Sequence, residues 1–565
     1  MTSMAKRMLD RLGLRAPLSK AWAVAKNPRS LADGWRYRRD YTAFKTRYGH
    51  FLREGKERQR PDKRLLVMSL HDHIPTAKEE AVFAKALQLH GYTPFFLVRR
   101  KGRILPYLRL FGYEDFAYFS EFVEAVDARP LEEEARRILA RDNSFRDWVG
   151  WRYRDVHIGR HVLSSISRQL YRGRLDLHDP QVADLLARLV PEAMRAVHAA
   201  EALFDAVRPD LVLFNERGYT PYGEIFDVAL NRKINTIQWC ASHRDDARIF
   251  KRYTAETHGV HPHSLSDESW EIVQRMPWTE EMEGKLLQDL RAYYETGSWF
   301  GFQRLQRGKP IKTPEEVREQ LGLDPAKKTA VIFAHIFWDA TFFYGESLFD
   351  DYEGWFVETV LAACESPAVN WIVKLHPVNV WRLEVDNYRG ELPEHKVLRE
   401  RVGRLPSHVK LLEPGTDVNT FSLFDLADYC LTVRGTIGIE MAIFGATVFT
   451  AGTGRYSGRG FTVDSASREE YLDRLGRIHE FPRLSVEQVE LARRYCYALL
   501  HLRPLRFNTI EPVFEHGKHV FQPLNGGIII RARSMADLAA APDLRAFAGW
   551  AADPNRLDYL AASDQ

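Results

Sequence analysis

Cysteine is scarce in this sequence: 565 residues hold four. Cys240, Cys364, Cys430 and Cys496 lie far apart in apolar runs, and no two have Cys-x-x-Cys spacing. That excludes a disulfide framework and a cysteine-based zinc site, and predicts reduced, buried thiols. Charge of one sign is also missing. With 80 Lys and Arg against 76 Asp and Glu the net charge is +4, so the global positive excess of a nucleic-acid binder is absent and no nucleic-acid partner is expected. No stretch approaches the roughly 18–20 consecutive apolar residues needed to cross a bilayer, and residues 1–30 lack the apolar centre of a secretory signal. The expectation is a cytoplasmic protein. The sequence has no Gly-x-x-x-x-Gly-Lys-Ser/Thr phosphate loop and no Gly-x-Ser-x-Gly nucleophile elbow, which argues against NTPase and esterase chemistry. It also lacks an Asp-x-Asp triplet to hold a divalent metal on a diphosphate.

The charge that is present is unevenly placed. Residues 1–64 hold 18 Lys and Arg and 6 Asp and Glu, a net +12, which leaves the body at −8. Trp22, Trp35, Tyr37, Tyr41, Phe44 and Tyr48 are interleaved with these arginines. Such an arm is either a solvated helix or a segment that rests on an anionic membrane surface through residues 1–60, where each surface-adjacent cation contributes about 1 kcal/mol. On the second reading the protein is peripheral to the inner face of the cytoplasmic membrane.

Hydrophobic patterning divides the rest. Leu65–Leu70 reads as a buried strand, followed by a polar loop, a helix ending near Gly91 and a second strand at Pro94–Val98. Leu211–Phe214, a loop, a helix and Ile234–Trp239 repeat the pattern, and residues 115–205 between them read as a helical insertion rich in Arg and aromatics. Thr313-Pro314-Glu315-Glu316 has the capping-box spacing with proline at the first helical position. From Ala330 the alternation is regular, with strands at Ala330–Ala334, Trp371–Leu375, Val409–Leu412, Tyr429–Val433 and Thr447–Thr450 separated mostly by helical runs. The expected fold class is α/β, with two tandem doubly wound parallel sheets facing each other across a cleft. The expected divisions are a basic arm 1–64, a first α/β domain 65–275, a linker 276–325, a second α/β domain 326–484, and a carboxyl-terminal helix and tail 485–565.

Ligands of open parallel sheets bind at the carboxyl ends of the strands, so chemistry is sought there. Arg434-Gly435-Thr436 ends one strand and turns into a helix carrying Glu440, where backbone N–H groups, the guanidinium and the hydroxyl suit an anion and Glu440 suits sugar hydroxyls. His376, before Pro377, sits at a strand end and can donate to a phosphate. His335 and Asp339 occupy another strand-end loop, and Arg455 follows the last strand of this sheet in a glycine-rich loop. On the first sheet, Glu216 and Asp72 are the candidates for a base that removes a proton from an acceptor hydroxyl. His258-x-x-His261-x-His263 reads as a polar loop, so no metal ligand is expected.

Phe337-Trp338-Asp339-Ala340, Lys374-Leu-His-Pro377, Thr436-Ile-Gly-Ile-Glu440 with Gly445, and Tyr456-Ser-Gly-Arg-Gly-Phe461 resemble the donor-binding half of bacterial surface-polysaccharide glycosyltransferases of the GT-B fold, especially the capsule proteins that include Kdo transferases. The resemblance covers residues 330–475. It implies two Rossmann-like domains, a nucleotide-sugar donor held around Lys374, His376, Thr436 and Glu440, a glycan or lipid-linked saccharide acceptor, and no metal or other cofactor. Arg434-Gly435-Thr436 departs from the paired serines that many relatives carry. The alternatives are a UDP-sugar 2-epimerase-like enzyme, whose tandem sheets use a similar turn, and a silent nucleotide- or glycan-binding assembly protein.

Overall fold

The computed structural model describes residues 29–53, 63–141, 143–298, 305–379, 389–513 and 526–561. The expectations for residues 1–28, Trp22 included, lie outside them. The first sheet contains β1 (Arg64–Ser69), β2 (Thr93–Val98), β3 (Phe116–Tyr118), β4 (Leu211–Phe214), β5 (Asn235–Ala241) and β6 (Ala247–Tyr253). The second contains β7 (Thr329–Phe333), β8 (Asn370–Lys374), β9 (Val409–Leu412), β10 (Tyr429–Thr432), β11 (Thr447–Thr450) and β12 (Thr462–Asp464). After them come β13 (Leu505–Arg506) and a small hairpin of β14 (Ile510–Val513) and β15 (Gly527–Ile530). The order in the first sheet is β13-β6-β5-β4-β1-β2-β3, parallel except where β6 pairs antiparallel with β5 and β13. The second sheet, β12-β11-β10-β7-β8-β9, is parallel throughout. Two Rossmann-like lobes with helical and terminal extensions make the GT-B-type architecture expected from the sequence.

The strands are near-continuous apolar runs because both faces of each sheet are covered. In β1, Leu65 and Val67 enter one core and Leu66 and Met68 the other. In β7, Ala330 and Ile332 face one side, Val331 and Phe333 the opposite one. The helices Ala128–Leu139, Ile158–Leu170 and Pro180–Val207 cover one face of the first sheet. Thr313 makes its capping box with Glu316, Pro314 opens the helix Pro314–Leu321, and Gly322 ends it at φ +60°. Beyond the expected elements the structure adds β3, the antiparallel β6, β12 and the hairpin. The segment between β9 and β10 forms only a single tight turn at Thr420–Leu423 rather than a full helical run.

Both ends of the chain close on the first lobe. In the helix Arg29–Tyr48, Phe44 and Tyr48 are buried, and Tyr37 and Tyr41 meet Tyr107 edge-on at 5.9 and 5.3 Å. Asp40 accepts from Lys78 Nζ at 2.8 Å and from Tyr107 at 2.5 Å. Most of the arm's aromatic side chains in the described part are therefore used within the protein, whereas Trp35 stays 62% exposed. At the other end, the helix Pro542–Ala552 lies on Ile74–Leu89, where Phe547 packs 5.3 Å from Phe83. Asp558 then enters the interior, accepting from Lys251 Nζ at 2.7 Å and the Ser266 N–H at 2.7 Å, with Arg503 at 3.3 Å.

All three side chains of that triad are within 1% of full burial, and the two cations hold the Asp558 carboxyl well below the usual carboxylate range despite its desolvation. Its stabilisation is complete at neutral pH and disappears only as pH falls through that depressed value. Replacing Asp558 with Ala leaves Lys251 and Arg503 buried without their anion. A loss of about 3–5 kcal/mol is expected, read as a lower urea midpoint at pH 7; an unchanged midpoint would show that the junction contributes nothing.

Candidate active site

The carboxyl ends of β7, β8 and β10 and the loop after β11 open into one cavity of about 470 Å³. Among the residues expected at a site, His335, Asp339, Lys374, His376, Gly435, Thr436, Glu440 and Arg455 line it. Ala241 from the end of β5 and Tyr294 and Gln306 from the connection between the lobes complete the wall. Parallel strands place these residues together because their carboxyl ends all point the same way.

Lys374 is the last residue of β8 and is 3% exposed. Among the described residues its ammonium has no acceptor. Burial, and next the charge of Lys309, push its pKa down to about 7. His376 Nδ1 accepts from the Val378 N–H at 3.2 Å, which leaves the proton of the neutral ring on Nε2. Burial and the adjacent Lys374 lower it to about 4, so the ring is a neutral donor at physiological pH.

His335 organises the opposite wall. Its Nε2 accepts from the Val433 N–H at 3.0 Å and meets the Thr432 hydroxyl at 3.0 Å, while its ring stacks on Tyr352 at 4.6 Å. Burial and then Arg434 keep it neutral. Thr432 Oγ1 in turn accepts from the Gly435 N–H at 3.1 Å, and Tyr456 donates to the Gly435 carbonyl at 2.6 Å. The Gly435 amide is therefore already used inside the protein. A Cβ at Gly438 would lie 2.1 Å from the Tyr456 hydroxyl, so glycine is needed there for the helix to approach. That helix, Ile437–Ala442, is six residues long, shorter than the run to Phe444 expected from the sequence.

Glu440 is 2% exposed and accepts from the Tyr294 hydroxyl. Burial raises its pKa to about 7, against the hydrogen bonds of Tyr294 and Thr436. Arg455 reaches the Arg434 carbonyl at 3.4 Å, and its Nε has no acceptor. Arg434 turns away from the cavity: it donates to the Glu346 carbonyl at 3.1 Å and to Ser347, and its Nε and Nη1 are buried without acceptors.

The two lobes touch at Asp339, which accepts from the Tyr219 hydroxyl at 2.9 Å. Arg168 lies over the Tyr219 ring at 4.5 Å and 3.6 Å from Glu216. Glu216 stands outside the cavity lining but at this contact, with its side chain 39% exposed; partial desolvation raises its pKa and Arg168 opposes the shift. Asp72 is elsewhere. Its carboxylate accepts from the Arg103 N–H at 2.7 Å and secures the loop after β2. Tyr294, Gln306, Arg168 and Tyr219 were not legible in the sequence, because they come from the linker, the insertion and the other lobe without a spacing motif.

The expectation of a protein free of metal and cofactor sites is corrected by a second cluster. His157, Asp227 and His258 present ligand atoms that all lie within 4.8 Å of one another, a grouping able to hold a metal ion. The expectation failed because these residues are separated by 70 and 31 positions, and only His258 belongs to the histidine-rich loop that had been read as simply polar.

No protein-family model and no curated protein matches the chain. Among solved structures, the chain is similar to KpsC, beta Kdo 2,4 transferase, of Thermosulfurimonas dismutans, at 16% identity and a TM-score of 0.32 over 59% of this chain and 87% of that one. It is similar to UDP-GlcNAc 2-epimerase from Neisseria meningitidis bound to UDP-GlcNAc, at 13% identity and a TM-score of 0.27 over 77% and 96%. It is also similar to the S. aureus MnaA–UDP co-structure, at 12% identity and a TM-score of 0.28 over 77% and 92%. Scores this low leave function to be argued from the cleft itself.

Proposed function

We propose that the cleft binds a nucleotide sugar and that the protein transfers the sugar to a glycan or lipid-linked saccharide acceptor, as in bacterial surface-polysaccharide synthesis. The observation that carries this reading is Lys374, a buried ammonium with no acceptor among the described residues, in one cavity with the neutral donor His376 and the half-buried Arg455. An unpaired buried cation is costly, and a phosphate ester supplies the missing charge. The sequence motifs around Lys374-Leu-His-Pro377 and Thr436–Glu440 support the same ligand.

In the proposed reaction the acceptor oxygen attacks the anomeric carbon, its proton passes to a base, and the bond to the nucleotide phosphate breaks. Lys374, His376 and Arg455 stabilise the charge that grows on the departing phosphate. Glu216 is the proposed base, since its raised pKa suits proton uptake and it stands where the lobes meet; Asp72 is the alternative. The amino-terminal half would present the acceptor, and the cations of residues 1–60 would hold the protein at an anionic membrane surface.

Sulfate keeps its charge across neutral pH and so reports on the cavity alone. Below about pH 7 Lys374 is charged and Glu440 neutral, and both changes favour an anion. Sulfate affinity should fall about tenfold between pH 6 and pH 8.5, the equivalent of one charge-assisted contact, and Lys374→Met should flatten the profile. A pH-independent affinity in the parent chain would remove Lys374 from the site.

Transfer is tested by incubating the chain with UDP-, GDP- and CMP-sugars, with and without a membrane extract that supplies lipid-linked acceptors. Nucleotide release that requires the extract is expected, together with a loss of roughly 100-fold in kcat/KM for His376→Ala at an unchanged unfolding midpoint. Isomerisation of the sugar without acceptor would instead identify an epimerase, and binding without turnover a silent binding protein.

A further inference from the structure

The cluster that corrects the metal-free expectation lies on the first lobe, in a cavity of its own. His157 precedes the helix Ile158–Leu170, Asp227 lies within Tyr222–Asn231, and His258 follows β6. His157 Nδ1 is 2.9 Å from Asp227 Oδ2, and His258 Nε2 is 2.7 Å from Asp227 Oδ1. A tetrahedral ion with bonds of about 2.0–2.1 Å keeps its ligand atoms roughly 3.3 Å apart. The two hydrogen-bonded distances are shorter than that and all three ligand atoms lie within 4.8 Å of one another, so an ion would enter by pushing the rings off the carboxylate. All three residues line a cavity of about 660 Å³ together with Arg152, Asp155 and Glu256, which leaves room for a further ligand or water on the open side.

Two further buried polar groups stand beside the cluster. His161, 1% exposed, brings a third imidazole to Asp227 with Nε2 at 3.1 Å from Oδ2, and its Nδ1 has no partner. Glu224 is fully buried one turn earlier on the helix, and its Oε2 also lacks a partner. Both Asp227 oxygens are already answered, since Oδ2 also accepts from the His157 backbone N–H at 2.9 Å, so an ion would take the place of the imidazole protons between the rings and the carboxylate.

We propose that His157, Asp227 and His258 bind one divalent transition-metal ion of the Zn²⁺ type, with its fourth position facing the cavity and away from the sugar-nucleotide cleft. Two imidazoles and one carboxylate suit such an ion better than Mg²⁺ or Ca²⁺, which take all-oxygen ligand sets. Binding moves the ring proton of His157 from Nδ1 to Nε2 and releases the exposed Arg152 guanidinium that now donates there at 2.7 Å. The ion would staple the helical insertion to the loop after β6. That loop touches the other lobe, where the Gly345 N–H donates to Gly259 at 2.6 Å and the His261 N–H donates to Gly454 at 2.8 Å. The proposal does not depend on the transferase reading.

The test uses the untagged full chain, stripped with a chelator and titrated with Zn²⁺ by calorimetry and with Co²⁺ by visible absorption. One equivalent of Zn²⁺ should bind, Co²⁺ should give the intense visible bands of a four-coordinate site, and Zn²⁺ should raise the unfolding midpoint. His157→Ala and His258→Ala should each weaken binding about 100-fold and abolish the midpoint shift, while His178→Ala, at an exposed position, should change neither. His157 is itself partly exposed, so its variant serves even if one at Asp227 fails to fold. Absence of a tightly held equivalent in the parent chain, or binding in both histidine variants as tight as in the parent, overturns the proposal.

Discussion

One buried carboxylate stands where the chain passes between the two lobes. Asp558 arrives near the end of the described chain and joins Lys251 of β6, the backbone at Ser266 where the connection to the second lobe begins, and Arg503 where the chain returns to the first. Both crossings between the lobes meet at this anion. Taking three charges out of water is expensive unless each finds further partners. Arg503 does so by donating to the carbonyls of Phe250, Tyr559 and Pro262 at 2.7–3.0 Å. The junction works beside other contacts between the lobes, among them Tyr219 on Asp339 and the apolar cluster of Tyr219, Phe343 and Tyr344.

The cleft shows the opposite treatment of buried charge. At the junction every cation has its anion, whereas Lys374 has none among the described residues and Glu440 is answered by two hydroxyls and, more weakly, by the charge of Arg455. Desolvation therefore acts without opposition on Lys374 and prevails at Glu440, bringing both near pH 7 from opposite sides. A fold that pairs its buried charges so thoroughly in one place leaves Lys374 without an acceptor in another, which is the perturbation that marks a candidate site. His335 has a supporting part: a neutral imidazole that accepts from Val433 can hold the end of β10 without adding charge to the cavity.

Legibility in the sequence followed the same physics. Strands covered on both faces are uninterrupted apolar runs, so β1, β4, β7 and β10 could be read directly, and the Thr313 capping box marked its helix. The ends of those strands then delivered most of the cavity lining. β6 was missed for a clear reason. Its sequence, Ala-Arg-Ile-Phe-Lys-Arg-Tyr, carries three cations in seven residues, yet every residue is buried. Arg248 is neutralised by Glu79 and Lys251 by Asp558, while Arg252 keeps its charge and donates to Asn235 and the carbonyls of Trp550 and Ala551. Most of these partners lie hundreds of positions away, and no local pattern announces them. Tyr294 on Glu440 and the three imidazoles around Asp227 escaped notice for the same reason.

The segment after β6 connects these separate pieces of chemistry. Arg217, 1% exposed, donates to the carbonyls of His258 and Val260, and its own N–H donates to Glu216 at 2.8 Å. His258 is bonded to Asp227 on one side, and its neighbours Gly259 and His261 are bonded to the second lobe on the other. Any movement of the lobes that widens the cleft must therefore either carry this loop along, pulling His258 off Asp227, or break the backbone bonds at Gly345 and Gly454. Whatever fixes His258 also fixes Arg217 and, through it, the placement of Glu216 beside the cleft. The histidine cluster and the cleft occupy different cavities, but a single rigid loop sets the geometry of both.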